Sequence, residues 1–197
     1  MSGRVGGLVL AGGRSRRFGA EKAAAKLGGR PLLAWSLAAL AGACTSVAVS
    51  ARRGGEIAAI AQSLGHAVVF DDASHARGPL AGVAAGLKWA EAHGFDRLVT
   101  LPCDTPLVGA REIAILLAAL GEAGGAYAVT PDGPQPLCAV WRVDLEVPLA
   151  RRLAGGHHPP VRTFLAEVGA LPVMFDDPLI FQNANTAQAL ARLERGV

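Results

Sequence analysis

Short apolar blocks alternate with longer amphipathic runs along this chain, and that alternation leaves few folds open. Residues 5–10, 47–50, 68–70 and 98–101 are each an apolar block of the length of a buried strand. Between and after them, residues 31–41, 56–64, 79–93 and 110–120 read as helices. Pro31 suits a first helical turn, and Gly65 and Gly94 are natural C-terminal stops. Strands alternating with helices in this way form βαβ units, and so a mostly parallel sheet with helices on both faces. Residues 127–130 and 137–142 read as strands around the turn Pro131-Asp132-Gly133-Pro134, a pair that can include an antiparallel member. A short helix over 161–168, a strand over 172–175 and a helix over 186–195 complete the pattern, with 152–160 expected as a loop. The chain has 197 residues and neither an internal repeat nor a low-complexity linker, so one domain over 1–197 is expected. That length buries a core without disulfides or a structural metal.

Charge and cysteine usage narrow the function. The formal net charge of +3 is too small to argue for nucleic-acid binding. Arg14, Arg16, Arg17, Lys22, Lys26 and Arg30, however, form a local basic cluster interrupted only by the acid Glu21, which points to a localised anionic ligand. The three cysteines, Cys44, Cys103 and Cys138, show no Cys-x-x-Cys or Cys/His metal spacing. Neither a disulfide framework nor a zinc site is expected, which suits a reducing cytoplasm. The N-terminus lacks the charged-then-apolar pattern of a signal peptide, and no run is long and apolar enough to span a membrane.

In open parallel sheets, ligands sit outside the carboxyl ends of the strands. The loop after the first strand is Leu10-Ala11-Gly12-Gly13-Arg14-Ser15-Arg16-Arg17-Phe18-Gly19-Ala20-Glu21-Lys22. It matches neither the P-loop nor the dinucleotide fingerprint. Its chemistry still suits a polyphosphate. Paired glycines let backbone N–H groups approach and form an anion-binding nest. Arginines bring planar donor forks, and a lysine adds a mobile point charge. After the fourth strand, prolines flank the polar turn Pro102-Cys103-Asp104-Thr105-Pro106 and aim the Asp104 carboxylate. One carboxylate at the end of a central strand suits Mg²⁺, which binds one or two protein oxygens plus phosphate oxygens. Cys103 reads as a packed residue, since no base motif accompanies it.

These residues resemble a family. The run LAGGRSRRFGAEK is similar to the LAGG-x-S-x-R-[MF]-G-x-[DE]-K signature of the nucleotidyltransferases that build molybdenum cofactor dinucleotides, the guanylyltransferases in particular. Gly78-Pro79-Leu80-Ala81-Gly82, the Pro-Cys-Asp-x-Pro turn at 102–106, the strand Pro136-Leu137-Cys138-Ala139-Val140-Trp141 and Phe181-Gln182-Asn183-Ala184-Asn185-Thr186 resemble further family segments, in the family's order. The resemblance implies a three-layer α/β/α sandwich of the nucleotide-diphospho-sugar transferase type. It implies transfer of GMP from GTP to the terminal phosphate of molybdenum-molybdopterin, with release of pyrophosphate. In that scheme Leu10, Ala11, Gly12 and Gly13 meet the guanine and ribose, Arg16 or Arg17 holds the departing pyrophosphate, and Lys22 stabilises charge at the α-phosphate. Asp71, with Asp72 as the alternate, contacts the nucleotide, and Asp104 holds Mg²⁺. Gly78, Pro79, Arg162, Asn183 and Asn185 border the acceptor. Thr186 also fits an N-cap, and His157 and His158 read as a mobile loop. Molybdenum-insertion and molybdoenzyme-maturation proteins are the partners implied.

Two positions depart from the family. Ser50 stands where an asparagine often contacts the nucleotide, and Glu21 where Asp is commoner. A cytidylyltransferase, a transferase using another phosphorylated acceptor, and a non-catalytic nucleotide-binding module therefore remain the alternatives. Lys22 and Asp104 together argue against the last of these.

Overall fold

The computed structural model describes residues 3–11, 25–71, 78–154, 156, 158–184 and 187–194. Strand β1, Val5–Leu10, is an interior strand of a seven-stranded sheet. The chain continues through a small hairpin of β2 (Lys26–Leu27) and β3 (Arg30–Pro31), then α1 (Leu32–Ala41), β4 (Ser46–Ser50), α2 (Glu56–Ser63) and β5 (Ala67–Val69). Helix α3 (Pro79–Ala92), β6 (Arg97–Pro102), α4 (Ala110–Ala119), β7 (Gly125–Thr130) and β8 (Gly133–Arg142) follow. Helices α5 (Glu146–Ala154) and α6 (Val161–Glu167), strand β9 (Leu171–Met174) and helix α7 (Ala187–Glu194) end the series.

The strand order is β5-β4-β1-β6-β8-β7-β9. All pairings are parallel except those of β8, which runs antiparallel to both β6 and β7. The antiparallel member expected of the later strand pair is thus β8. From β1 the chain pairs outward on one side through β4 and β5. It then crosses to the other side through α3 and β6, which places the topological switch at β1.

Period-two alternation divides the core between the two faces. Val5 and Val9 pack with Leu33, Leu37, Ile57, Ile113 and Leu116 beneath α1, α2 and α4. Leu8 packs with Leu80, Leu87, Leu149 and Phe164 beneath α3, α5 and α6. This is the expected three-layer α/β architecture. Missing side chains on α3 make the second layer tight. A Cβ on Gly86 would overlap Leu8 and stand 3.0 Å from Leu98 Cδ2, and one on Gly82 would stand 3.0 Å from both Leu10 Cδ2 and Ser50 Oγ.

Three local expectations change. Residues 26–31 form the β2–β3 hairpin, because Gly28 and Gly29 take φ of 57° and 78° and close a two-residue turn. Pro31 is therefore the last hairpin residue and the N-cap of α1, not part of its first turn. Residues 152–154 belong to α5, whose buried stripe of Leu149 and Leu153 holds it on the sheet, so the loop starts later. Strand β8 begins at Gly133, because Thr130 pairs with it and the turn is shorter than four loop residues.

Gly86→Val is expected to lower unfolding free energy by about 1–3 kcal/mol through overpacking against Leu8 and Leu98. Urea denaturation would measure this as a lower midpoint with little change in slope.

Candidate active site

Parallel register brings three strand ends into one row. Leu10 is level with Ser50 on one side and with Pro102 on the other. The row is tied beyond the strands too: Ala11 N–H donates to Ser50 O at 2.9 Å, and Cys103 N–H donates to Leu10 O at 3.2 Å. Ser50 is level with Val69 of β5, so Asp71 emerges beside it. The Ser50 hydroxyl, itself buried, lies 3.5 Å from Asp71 Oδ1, a weak contact at best. Sequence-expected Leu10, Ala11 and Asp71 therefore share one crevice edge with Ser50.

The turn after β6 is braced from within. Ser36 Oγ and Thr105 Oγ1 donate to Pro102 O at 3.2 and 3.1 Å, and the buried Thr105 fixes the far side of the turn. Asp104 projects half-buried from this frame. Its main-chain carbonyl accepts from Ala184 N–H at 2.8 Å. With the Asn183 amide turned so that its nitrogen faces the carboxylate, that nitrogen donates to both Asp104 oxygens at 3.2 Å. Residues distant in sequence thus meet through one backbone bond and a forked side-chain contact.

The C-terminal segment reaches this point because it is anchored on both sides. Asp177 Oδ1 accepts from Leu179 N–H at 2.9 Å and starts the 3-10 turn Pro178–Phe181. Phe181 is buried against Phe175, with ring centroids 4.9 Å apart. Beyond it, Ala184 and Leu193 pack with Leu27 and Leu32, so the β2–β3 hairpin and α7 hold the segment from the other side.

Gly78 and Pro79 open α3 at the same edge of the sheet. Here the structure places a residue that the sequence reading left as loop: His158 Nε2 accepts from Leu80 N–H at 3.1 Å. No sequence signal marked it, since a His-His-Pro-Pro run looks like a surface turn and its partner is 78 positions away. Arg162 is exposed in the first turn of α6. Gly12, Gly13, Arg16, Arg17, Lys22 and Asn185, with Asp72, His157 and Thr186, lie outside the described residues.

Among the described residues, no three of His, Cys, Asp and Glu gather into a metal-holding group. A single oriented carboxylate fits a hard cation that takes most of its oxygens from a phosphate ligand, and does not fit a protein-caged metal. Cys103, in the turn just after β6, is buried in the core, as expected of a packed residue. Cys138 lies under the turn with its Sγ 4.0 Å from Thr105 Oγ1. Burial, and less strongly the nearby Asp104 charge, push its thiol up to about 12, while the Thr105 contact pulls the other way.

A doubly wound sheet with a carboxylate at its switch point is an α/β frame that binds its ligand at the carboxyl ends of the strands. Residues 7–171 match the MobA-like NTP transferase domain. The chain is 42% identical to a molybdenum cofactor guanylyltransferase of Cereibacter sphaeroides, over 97% of this chain and 96% of that protein. It is 39% identical to one of Burkholderia vietnamiensis, again over 97% and 96%. The fold is shared with molybdopterin-guanine dinucleotide biosynthesis protein A of Archaeoglobus fulgidus, at a TM-score of 0.79 and 23% identity over 96% of this chain and 97% of that one. The chain belongs to the molybdenum cofactor guanylyltransferase family.

The Cys138 thiol should resist iodoacetamide in the folded protein at pH 8.5 and react once urea unfolds it, as read by peptide mass spectrometry. Its pKa rises from 9.0 in the unfolded chain to about 12 in the fold, so the folded state holds the proton more tightly. The stability this contributes is complete below pH 9.0 and is lost as pH climbs toward about 12.

Proposed function

We propose that this protein, acting as one nucleotidyltransferase domain over 1–197, transfers GMP from GTP to the terminal phosphate of molybdenum-molybdopterin and releases pyrophosphate. The observation that carries the reading is the meeting of Asp104 with Asn183 at the carboxyl edge of the sheet. It joins a carboxylate suited to nucleotide phosphates to the segment expected at the acceptor, and family membership supplies the two substrates.

In this reading an oxygen of the acceptor phosphate attacks the α-phosphorus. The bond from that phosphorus to the bridging oxygen breaks, and pyrophosphate leaves with the electron pair. The attacking group is already anionic, so no strong general base is needed, and the chain contributes positioning and charge neutralisation. Backbone groups of Leu10, Ala11, Gly12 and Gly13 hold the guanine and ribose, and Asp71 contacts the nucleotide. Arg16 or Arg17 holds the departing pyrophosphate, and Lys22 meets charge growing at the α-phosphate. Gly78, Pro79, Arg162, Asn183 and Asn185 border the acceptor. Asp104 would hold Mg²⁺, which when bound neutralises phosphate charge. Among the described residues no helix is long and apolar enough to cross a membrane. The cytoplasm is the proposed setting, with molybdenum-insertion and molybdoenzyme-maturation proteins as transient partners.

Asp104→Ala should lower kcat by about 100-fold or more at every Mg²⁺ concentration that supports the wild type. Near-normal turnover would remove Asp104 from the metal site. Lys22→Ala should lower kcat by roughly 100-fold while GTP affinity falls far less, because its charge matters most in the transition state. A loss confined to KM would reassign it to ground-state binding. Calorimetry with GTP, CTP, ATP and UTP in Mg²⁺ tests the nucleotide. Selective GTP binding is expected, and CTP selectivity would replace the reaction with its cytidylyl counterpart.

A further inference from the structure

We infer that His158 is a positioning residue for the acceptor side of the site: it clamps the opening of α3 to the segment leading into α6 and thereby sets affinity for the phosphorylated acceptor. The inference rests on the acceptor assignment of Gly78, Pro79 and Arg162 proposed above.

The first turn of an α-helix leaves N–H groups without intrahelical partners. In α3 these are few. Pro79 has no N–H to donate, and Ala81 N–H reaches Gly78 O at 3.1 Å. Leu80 N–H is met by His158 Nε2 at 3.1 Å. A histidine from a remote segment thus takes the role of a capping side chain. For Nε2 to accept, the ring must carry its proton on Nδ1 alone.

Gly78 is shaped to this ring. Its φ of 165° and ψ of 177° are extended values open to any residue, so backbone conformation does not demand glycine there. Space does, since a Cβ on Gly78 would overlap the Nε2, Cδ2 and Cε1 atoms of His158. Glycine at 78 and histidine at 158 are therefore one matched contact.

That contact reaches Arg162 through stiff chain. Pro159 and Pro160 fix two consecutive φ angles and restrict His158 to extended backbone. Pro160 is the N-cap of α6, and the buried Phe164 and Leu165 seat that helix on the sheet beside Trp141. Releasing His158 frees the entrance to α6 and the corner at Gly78 together. Leu10 and Ser50 are held by sheet register and stay in place.

The test is steady-state transfer with GTP and molybdenum-charged molybdopterin, together with GTP affinity by calorimetry, for wild type and His158 variants. His158→Ala should raise the acceptor KM about ten-fold, the size expected from losing a cap. Its kcat and GTP affinity should stay within about two-fold. His158→Gln, whose carbonyl oxygen extends as far as Nε2, should recover most of the loss, and the shorter His158→Asn should not. This last pair decides the matter even where the alanine variant folds poorly. Gly78→Ala should raise the same KM, and adding His158→Ala should make it no worse, the non-additivity of two residues in one contact. An unchanged acceptor KM, a Gln variant no better than Asn, or equal shifts in GTP affinity and kcat would overturn the inference. A wild type that makes no guanine dinucleotide would instead sink the proposed function, and is seen before any variant is made.

Discussion

Everything at the site depends on β1 being paired in parallel on both edges and packed on both faces. Parallel neighbours oblige the chain to leave each strand at one edge of the sheet and return by a crossover before the next. The carboxyl ends of β1, β4, β5 and β6 therefore lie at one edge of the sheet, and the switch of direction at β1 opens a crevice there. Two adjacent glycines admit the packing on either face. A Cβ on Gly6 would press on Phe95 and Trp89, and one on Gly7 on Leu40 and Cys44. Larger residues there would push the helices off the strand whose end carries Leu10 and Ala11.

Much of this was legible in the sequence because the signals are local. Buried strands announce themselves as short apolar blocks, and Gly65 and Gly94 both take the positive φ that ends a helix. The turn holding Asp104 is set by its flanking prolines, so residue type and place in the fold point the same way. The β2–β3 hairpin was legible in principle, since Gly28-Gly29 is a turn signal, but two-residue strands carry too little pattern to register. Helix α5 was hidden by its composition. Pro148 near its start and the Gly155-Gly156 pair after its end read as loop until Leu149 and Leu153 are seen to lie on one buried face. His158 was not legible at all. Its role exists only through an N–H on a helix 78 positions away, and no spacing rule reaches so far.

The contact between Asp104 and Asn183 illustrates what a neutral partner does for a carboxylate. An amide donating to both oxygens orients the group while leaving its full negative charge in the crevice. A lysine or arginine in the same place would orient it as well, but would cancel the charge that a divalent cation needs. The backbone bond from Ala184 to Asp104 O makes the orientation hard to lose, because it ties the two segments together whatever the side chains do. Ser50 is a related economy of space. Its short hydroxyl fits under α3 where Gly82 passes, and a longer side chain at 50 would have to contend with that helix.

Absent side chains along α3 therefore serve three different places. Gly86 admits Leu8 and Leu98 in the core, Gly82 admits Leu10 and Ser50 at the end of the strands, and Gly78 admits His158 at the mouth of the site. Gly82 and Gly86, four residues apart, lie on one helical face, and Gly78 continues that line through the cap. Because the same helix is pressed against the core and the crevice, its height above the sheet cannot be adjusted in one place alone. Core packing fixes the helix, the helix fixes the corner at Gly78, and His158 carries that position across to α6. Precision at an exposed crevice edge is thus inherited from a close-packed interior, where a shift of one methyl group is already resisted.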